Sequence, residues 1–139
     1  MIRVLIVEDH QVVAEGLGAL LDDQEDMTVV GKVGSVGESI GLAAELSPDV
    51  VILDIGMPVL TGYDVARALR KSSASADVLL IAVTSYNTQT DKFLSKLAGF
   101  DYHLAKPVDP NSLSATIRDY LAGNRPVRIR VIPEHDIPR

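Results

Sequence analysis

The stretch Ile2-Arg3-Val4-Leu5-Ile6-Val7-Glu8-Asp9 decides the fold: a short apolar run of strand length that stops abruptly on two acids. A second run, Val50-Val51-Ile52-Leu53, stops in the same way on Asp54. Carboxylates that close β-strands project from the end of a sheet, where a site can form. If the two runs are neighbouring parallel strands, Glu8, Asp9 and Asp54 converge, and their repulsion must be offset by a cation or by raised pKa values.

Working outward, strand-like runs at residues 2–7, 28–33, 50–53, 78–83 and 101–105 alternate with segments of helical periodicity. Most of these runs lack polar alternation, which implies strands covered on both faces. The helical stripes are Val13, Leu17, Leu20 and Leu21; Val65, Ala66 and Leu69; and Leu113, Ile117 and Leu121. Ser35 followed by Glu38 reads as a capping box, and Asp109-Pro110 as an N-cap with a first-turn proline. The segment Thr88–Gly99 is the weakest helix, with only Phe93, Leu94, Leu97 and Ala98 to bury. Strands alternating with helices give βαβ units, hence a three-layer α/β domain with a mostly parallel sheet.

At 139 residues the chain fits one domain, read as residues 1–123, followed by a tail at 124–139. The tail carries Arg125, Arg128, Arg130 and Arg139 against Glu134 and Asp136, whereas the chain as a whole has a net charge of -6. That acidity argues against nonspecific nucleic-acid binding. Without cysteine, disulfides and thiolate metal sites are excluded. The apolar start is too short for a spanning helix or a signal peptide, so a soluble, cytoplasmic protein is expected. Val127, Ile129 and Val131 alternate with arginines between Pro126 and Pro133; the tail is either a linker or an extra strand that adds to a sheet edge within the chain or across a dimer.

Ligands of open α/β sheets lie beyond the carboxyl ends of the strands. The residues there are Glu8 and Asp9, Gly34 and Ser35, Asp54, Thr84 and Ser85, and Lys106. Three carboxylates suit a hard divalent cation, and a lysine with a hydroxyl suits a phosphoryl group held by the same cation. The set reads as phosphoryl transfer. Gly31, Gly34 and Gly37 lack the Gly-Lys-Ser/Thr ending of a phosphate loop and are read as turn residues. His10 is read as a helix-start residue in preference to a metal ligand.

The acid pair after the first strand, Asp54-Ile55-Gly56-Met57-Pro58 with Gly62, Thr84 after the fourth strand and Lys106-Pro107 after the fifth resemble the receiver domain of two-component response regulators. The resemblance covers residues 2 to about 122 and implies a flavodoxin-like, five-stranded sheet in the order 2-1-3-4-5. It implies that Asp54 accepts a phosphoryl group from a histidine on a sensor kinase or phosphotransfer protein. Asp9, Asp54 and the carbonyl of Gly56 would bind Mg²⁺, with Mn²⁺ as a substitute and Glu8 acting through water. Thr84 and Lys106 would hold the phosphoryl oxygens. His103 stands where the family has a switching Tyr or Phe, and Gly56 and Tyr86 occupy positions that tune the lifetime of the phosphorylated state.

On this reading the chain is no ordinary enzyme, although it catalyses its own phosphorylation and dephosphorylation. The alternative is a pseudo-receiver that binds a protein without chemistry. The first half is similar to receivers that precede helix-turn-helix output domains, and the Gly99–Pro110 segment to those of hybrid histidine kinases.

Overall fold

The computed structural model describes residues 1–55, 62–85 and 88–125, the side chain of Val36 excepted. Strands β1 (Ile2–Val7), β2 (Met27–Val33), β3 (Val50–Asp54), β4 (Leu79–Thr84) and β5 (Tyr102–Ala105) alternate with α1 (Gln11–Asp22), α2 (Val36–Leu46), α3 (Gly62–Lys71), α4 (Gln89–Ala98) and α5 (Pro110–Leu121). All pairs are parallel and the sheet order is β2-β1-β3-β4-β5. The expected architecture and strand order are therefore present.

The uniformly apolar strands bury both faces. Leu5, Val7, Val51, Leu53, Leu80 and Ala82 point to the layer that holds Ala43, Val65, Ala66, Leu69 and Ala98 of α2, α3 and α4. Their alternates Val4, Ile6, Val50, Ile52, Leu79 and Ile81 point to the layer of Ala14, Leu21, Leu113, Ile117 and Tyr120 from α1 and α5. Because successive residues of a strand face opposite ways, each central strand is a component of two cores at once.

Three local expectations are corrected. On α1 the buried residues are Ala14, Gly18 and Leu21, with Leu17 half-buried, whereas Val13 and Leu20 are exposed. Small residues let this helix lie close to the sheet: a Cβ on Gly18 would come within 3.1 Å of Lys32 Cδ. On α4, Ser95 and Ala98 are buried and Phe93 and Leu94 are exposed. Ser35 is the N-cap of α2 with an extended backbone, yet its side chain makes no capping bond, so the Ser35/Glu38 box does not form. Gly31 lies within β2, inside the run read as a strand, beside a register shift that passes over Val30; a Cβ there would sit 3.0 Å from Leu5 Cδ1 and 3.1 Å from Leu46 Cδ1.

Two caps are well formed. Asp109 accepts from Asn111 N, with Pro110 opening α5. Thr88 and Asp91 make a capping box on α4, and Gly99 ends that helix at φ 111°. The end of the sheet opposite the acids is tied by Arg70, whose Nη2 lies 2.9 Å from the fully buried Asp101 carboxylate. Its other N–H groups donate to the carbonyls of Gly99, Ala76 and Val78, joining α3, α4, β4 and β5.

Candidate functional site

Strand register builds the site. Val7 pairs with Leu53, so Glu8 emerges beside Asp54; Asp54 pairs with Val83, so Thr84 is one step beyond; Thr84 pairs with Ala105, so Lys106 follows at the rim. Backbone bonds from Glu8 N to Val33 O, at 2.9 Å, and from Lys106 N to Thr84 O, at 2.9 Å, hold the strand ends in place. Gly62 lets α3 begin against the end of β3: an added Cβ would lie 3.2 Å from the Asp54 carbonyl oxygen.

Glu8 and Asp54 are buried, at 6% and 7% exposure, and Asp9 is exposed beside them. Lys106 Nζ lies 3.1 Å from Asp54 Oδ1 and 3.5 Å from Glu8 Oε2. Thr84, fully buried, donates its hydroxyl to the Ile55 carbonyl at 3.4 Å. His10 is the N-cap of α1 but makes no side-chain cap. Its Nδ1 lies 2.9 Å from Glu8 Oε1 and 3.0 Å from Asp9 Oδ1. Glu8, Asp9, His10 and Asp54 each offer a ligand atom, all within 4.8 Å of one another.

The charges divide the acids. Burial pushes the Asp54 carboxyl up, and the Glu8 carboxylate beside it adds to this against the opposing Lys106. Glu8 is also pushed up by burial, but hydrogen bonding to His10 and Asp54 and the Lys106 charge outweigh it and hold its carboxyl below the ordinary value. Lys106 is raised: burial opposes its charge, and bonding to Asp54 with the charges of Asp54 and Glu8 prevails. His10 is raised by its bond to Glu8 and the charge of Asp9. A partly desolvated carboxylate beside a second acid and faced by one cation gains from a further positive charge.

The rim thus brings together Glu8, Asp9, Asp54, Thr84 and Lys106. His103 stands apart, half-buried on β5, and the Asp91 carboxyl is held low chiefly by the Thr88 amide and hydroxyl. Gly56 and Tyr86, and the tail beyond Arg125, lie outside the described residues. The contact of His10 with both acids is absent from the sequence reading, because it depends on how the β1–α1 turn aims the ring. A groove of about 550 Å³ opens beside Asp54 and Lys106, walled by Val13, Leu17 and Leu20 of α1 and by Pro107 and Val108. The exposed Val13 and Leu20 of α1 thus form part of its wall. No helix among the described residues is long and apolar enough to cross a membrane.

Acids, hydroxyl and lysine in this order match the response regulator receiver domain family across residues 4–118, and the chain belongs to that family. It is a receiver domain of two-component signalling. Among curated relatives, protein PilH of Pseudomonas aeruginosa is 37% identical over 123 residues, covering 88% of this chain and all of PilH. Response regulator GacA of Pseudomonas protegens is 38% identical over 127 residues; the match covers 90% of this chain but 58% of GacA. The nitrate/nitrite response regulator homolog of Haemophilus influenzae, at 32% identity, is likewise spanned over only 58% of its length. The response regulator domain of Thermotoga maritima CheB has a similar structure, with a TM-score of 0.79 and 28% identity over 88% of this chain and 97% of that one.

Proposed function

We propose that Asp54 is a phospho-acceptor that takes its phosphoryl group from a phosphohistidine on a sensor kinase or histidine phosphotransfer protein. The observation that carries this reading is the buried Asp54 carboxylate, 3.1 Å from Lys106 and flanked by two further acids. An Asp54 oxygen attacks phosphorus, the P–N bond to the donor histidine breaks, and its electron pair returns to the imidazole. Lys106 offsets the charge on the phosphoryl oxygens from one side. Thr84, one residue past the strand position paired with Asp54, then follows the phosphoryl group.

The donor set of three carboxylates suits a hard divalent cation. Asp9, Asp54 and the carbonyl of Gly56 would hold Mg²⁺, with Glu8 acting through water and Mn²⁺ as a substitute. Such an ion supplies charge neutralisation for the transferring phosphoryl group. The groove beside Asp54 supports docking of the donor: its α1 wall presents Val13 and Leu20 to solvent next to the acceptor. His103 and Thr84 form the proposed link to the α4/β5 surface, and Gly56 and Tyr86 tune lifetime. His103→Ala should alter the phosphorylation dependence of partner affinity; unchanged dependence would count against the link.

Incubation with a small phosphodonor and Mg²⁺, followed by intact-protein mass spectrometry, tests the function. One phosphoryl group is expected on the wild type and none on Asp54→Asn. Absence from the wild type would leave a protein-binding module without phosphotransfer.

A further inference from the structure

We propose that His10 is a side-chain ligand of the cation site and tilts it toward divalent transition ions that accept an imidazole nitrogen. This deepens the metal-assisted reading of Asp54 and rests on it. Residue 10 is an N-cap position, where Ser, Thr, Asp or Asn would stabilise a helix by accepting from its first amides. The His10 ring does not do this. The helix instead fixes the backbone of His10, whose carbonyl accepts from Ala14 N at 3.0 Å, while the ring turns back toward the acids.

The spacing of His10 from the acids is compatible with adjacent ligands of one ion. Two ligands at right angles, each about 2.1 Å from an ion, lie about 3.0 Å apart, and opposite ligands lie about 4.2 Å apart. His10 Nδ1 stands 2.9 Å from Glu8 Oε1 and 3.0 Å from Asp9 Oδ1. The whole set, including Asp54, fits within 4.8 Å. With Asp9 and Asp54 as direct ligands and Glu8 reached through water, the His10 nitrogen stands from Asp9 Oδ1 at the separation of two adjacent ligands of one ion. The ring is exposed at 70%, so its other nitrogen reaches water and no packed neighbour must move.

Ligand chemistry then separates the ions. Carboxylates and water suit Mg²⁺, whereas an imidazole adds selectively to the binding of Co²⁺, Ni²⁺ or Zn²⁺. A ring that merely oriented Glu8 would affect all of these ions alike. His10→Asn retains a side chain that can donate to Glu8 and removes the ring nitrogen.

The test titrates metal-free full-length protein at one fixed pH with Co²⁺ alone and with Mg²⁺ alone, by calorimetry, for the wild type, His10→Asn and Asp9→Asn. The visible spectrum of bound Co²⁺ is recorded in parallel. Expected for His10→Asn are a loss of about tenfold or more in Co²⁺ affinity, a changed Co²⁺ spectrum, and little change in Mg²⁺ affinity. Equal weakening of both ions, or no change in either, overturns the assignment of His10. Asp9→Asn should lose both ions; if it keeps both, the cation site falls and His10 with it. Neither result alters the mass readout of Asp54 phosphorylation, which stands or falls separately.

Discussion

Asp54→Asn should stabilise the metal-free protein, although it removes an ion pair. The Asp54 carboxylate is 9% exposed and lies 3.1 Å from Lys106 Nζ, with the nearest Glu8 ligand oxygen no more than 4.8 Å away. At an effective dielectric of about 20, those separations correspond to about 5 kcal/mol of attraction and at least about 3.5 kcal/mol of repulsion. Keeping a buried carboxylate charged costs several kcal/mol more. Neutralising Asp54 therefore forgoes about 5 kcal/mol and regains somewhat more, while the Asn oxygen still accepts from Lys106. The net gain is about 1–2 kcal/mol, or roughly 3–8 °C in Tm for a domain of this size. The sign matches the raised Asp54 carboxyl.

The same sign fixes the pH dependence. A carboxyl raised by folding contributes stability that is fully present below its unfolded value, about 3.9, and is lost as pH rises through the folded value. The advantage of Asp54→Asn should thus be smallest near pH 4 and largest near pH 8, with shared effects of other acids cancelling in the difference. Adding Mg²⁺ should reverse the order by stabilising the wild type, by about 2.7 kcal/mol at a hundredfold excess over Kd. Thermal unfolding in EDTA and in Mg²⁺ from pH 4 to pH 8 provides the assay. A less stable Asp54→Asn in EDTA near pH 8 would refute the reasoning.

Other consequences are independent of the metal. Arg70→Met leaves the Asp101 carboxylate buried without its cation and removes donors from three carbonyls; urea unfolding should show a loss of about 3–5 kcal/mol. Thr88→Ala breaks the α4 capping box and should cost about 1 kcal/mol, seen as faster amide exchange in the first turn of α4. Asp91 is held low by the Thr88 amide and hydroxyl, so its contribution is present above about pH 4 and lost as pH falls through its folded value. Tyr86→Ala should hasten loss of the phosphoryl group; an unchanged decay rate would count against water gating at that position.

The layers were legible because the sheet is buried on both sides: uninterrupted runs such as Val50–Leu53 have few alternatives to a covered parallel strand. The rim was legible for a related reason, since polar residues that end such runs must collect at one edge. Helix faces were harder. Periodicity weights large apolar residues, yet α1 and α4 approach the sheet through Ala14, Gly18, Ser95 and Ala98 and turn Val13, Leu20, Phe93 and Leu94 outward. Size, and not hydropathy, set the contact. The Arg70–Asp101 tie links residues 31 apart and leaves no local pattern. The Ser35 box had the right letters and the right N-cap backbone, but the side-chain bonds did not follow. His10 illustrates the converse, a residue without a motif whose chemistry emerges only from where its ring points.

The central claim is that the reactive carboxylate is Asp54 and no other acid of the cluster. Reduction of the phosphodonor-treated protein with borohydride converts an acyl phosphate to an alcohol, and peptide mapping locates the change. The account predicts reduction at position 54 alone, dependent on Mg²⁺. Reduction at Glu8 or Asp9, or at no carboxylate, would contradict it.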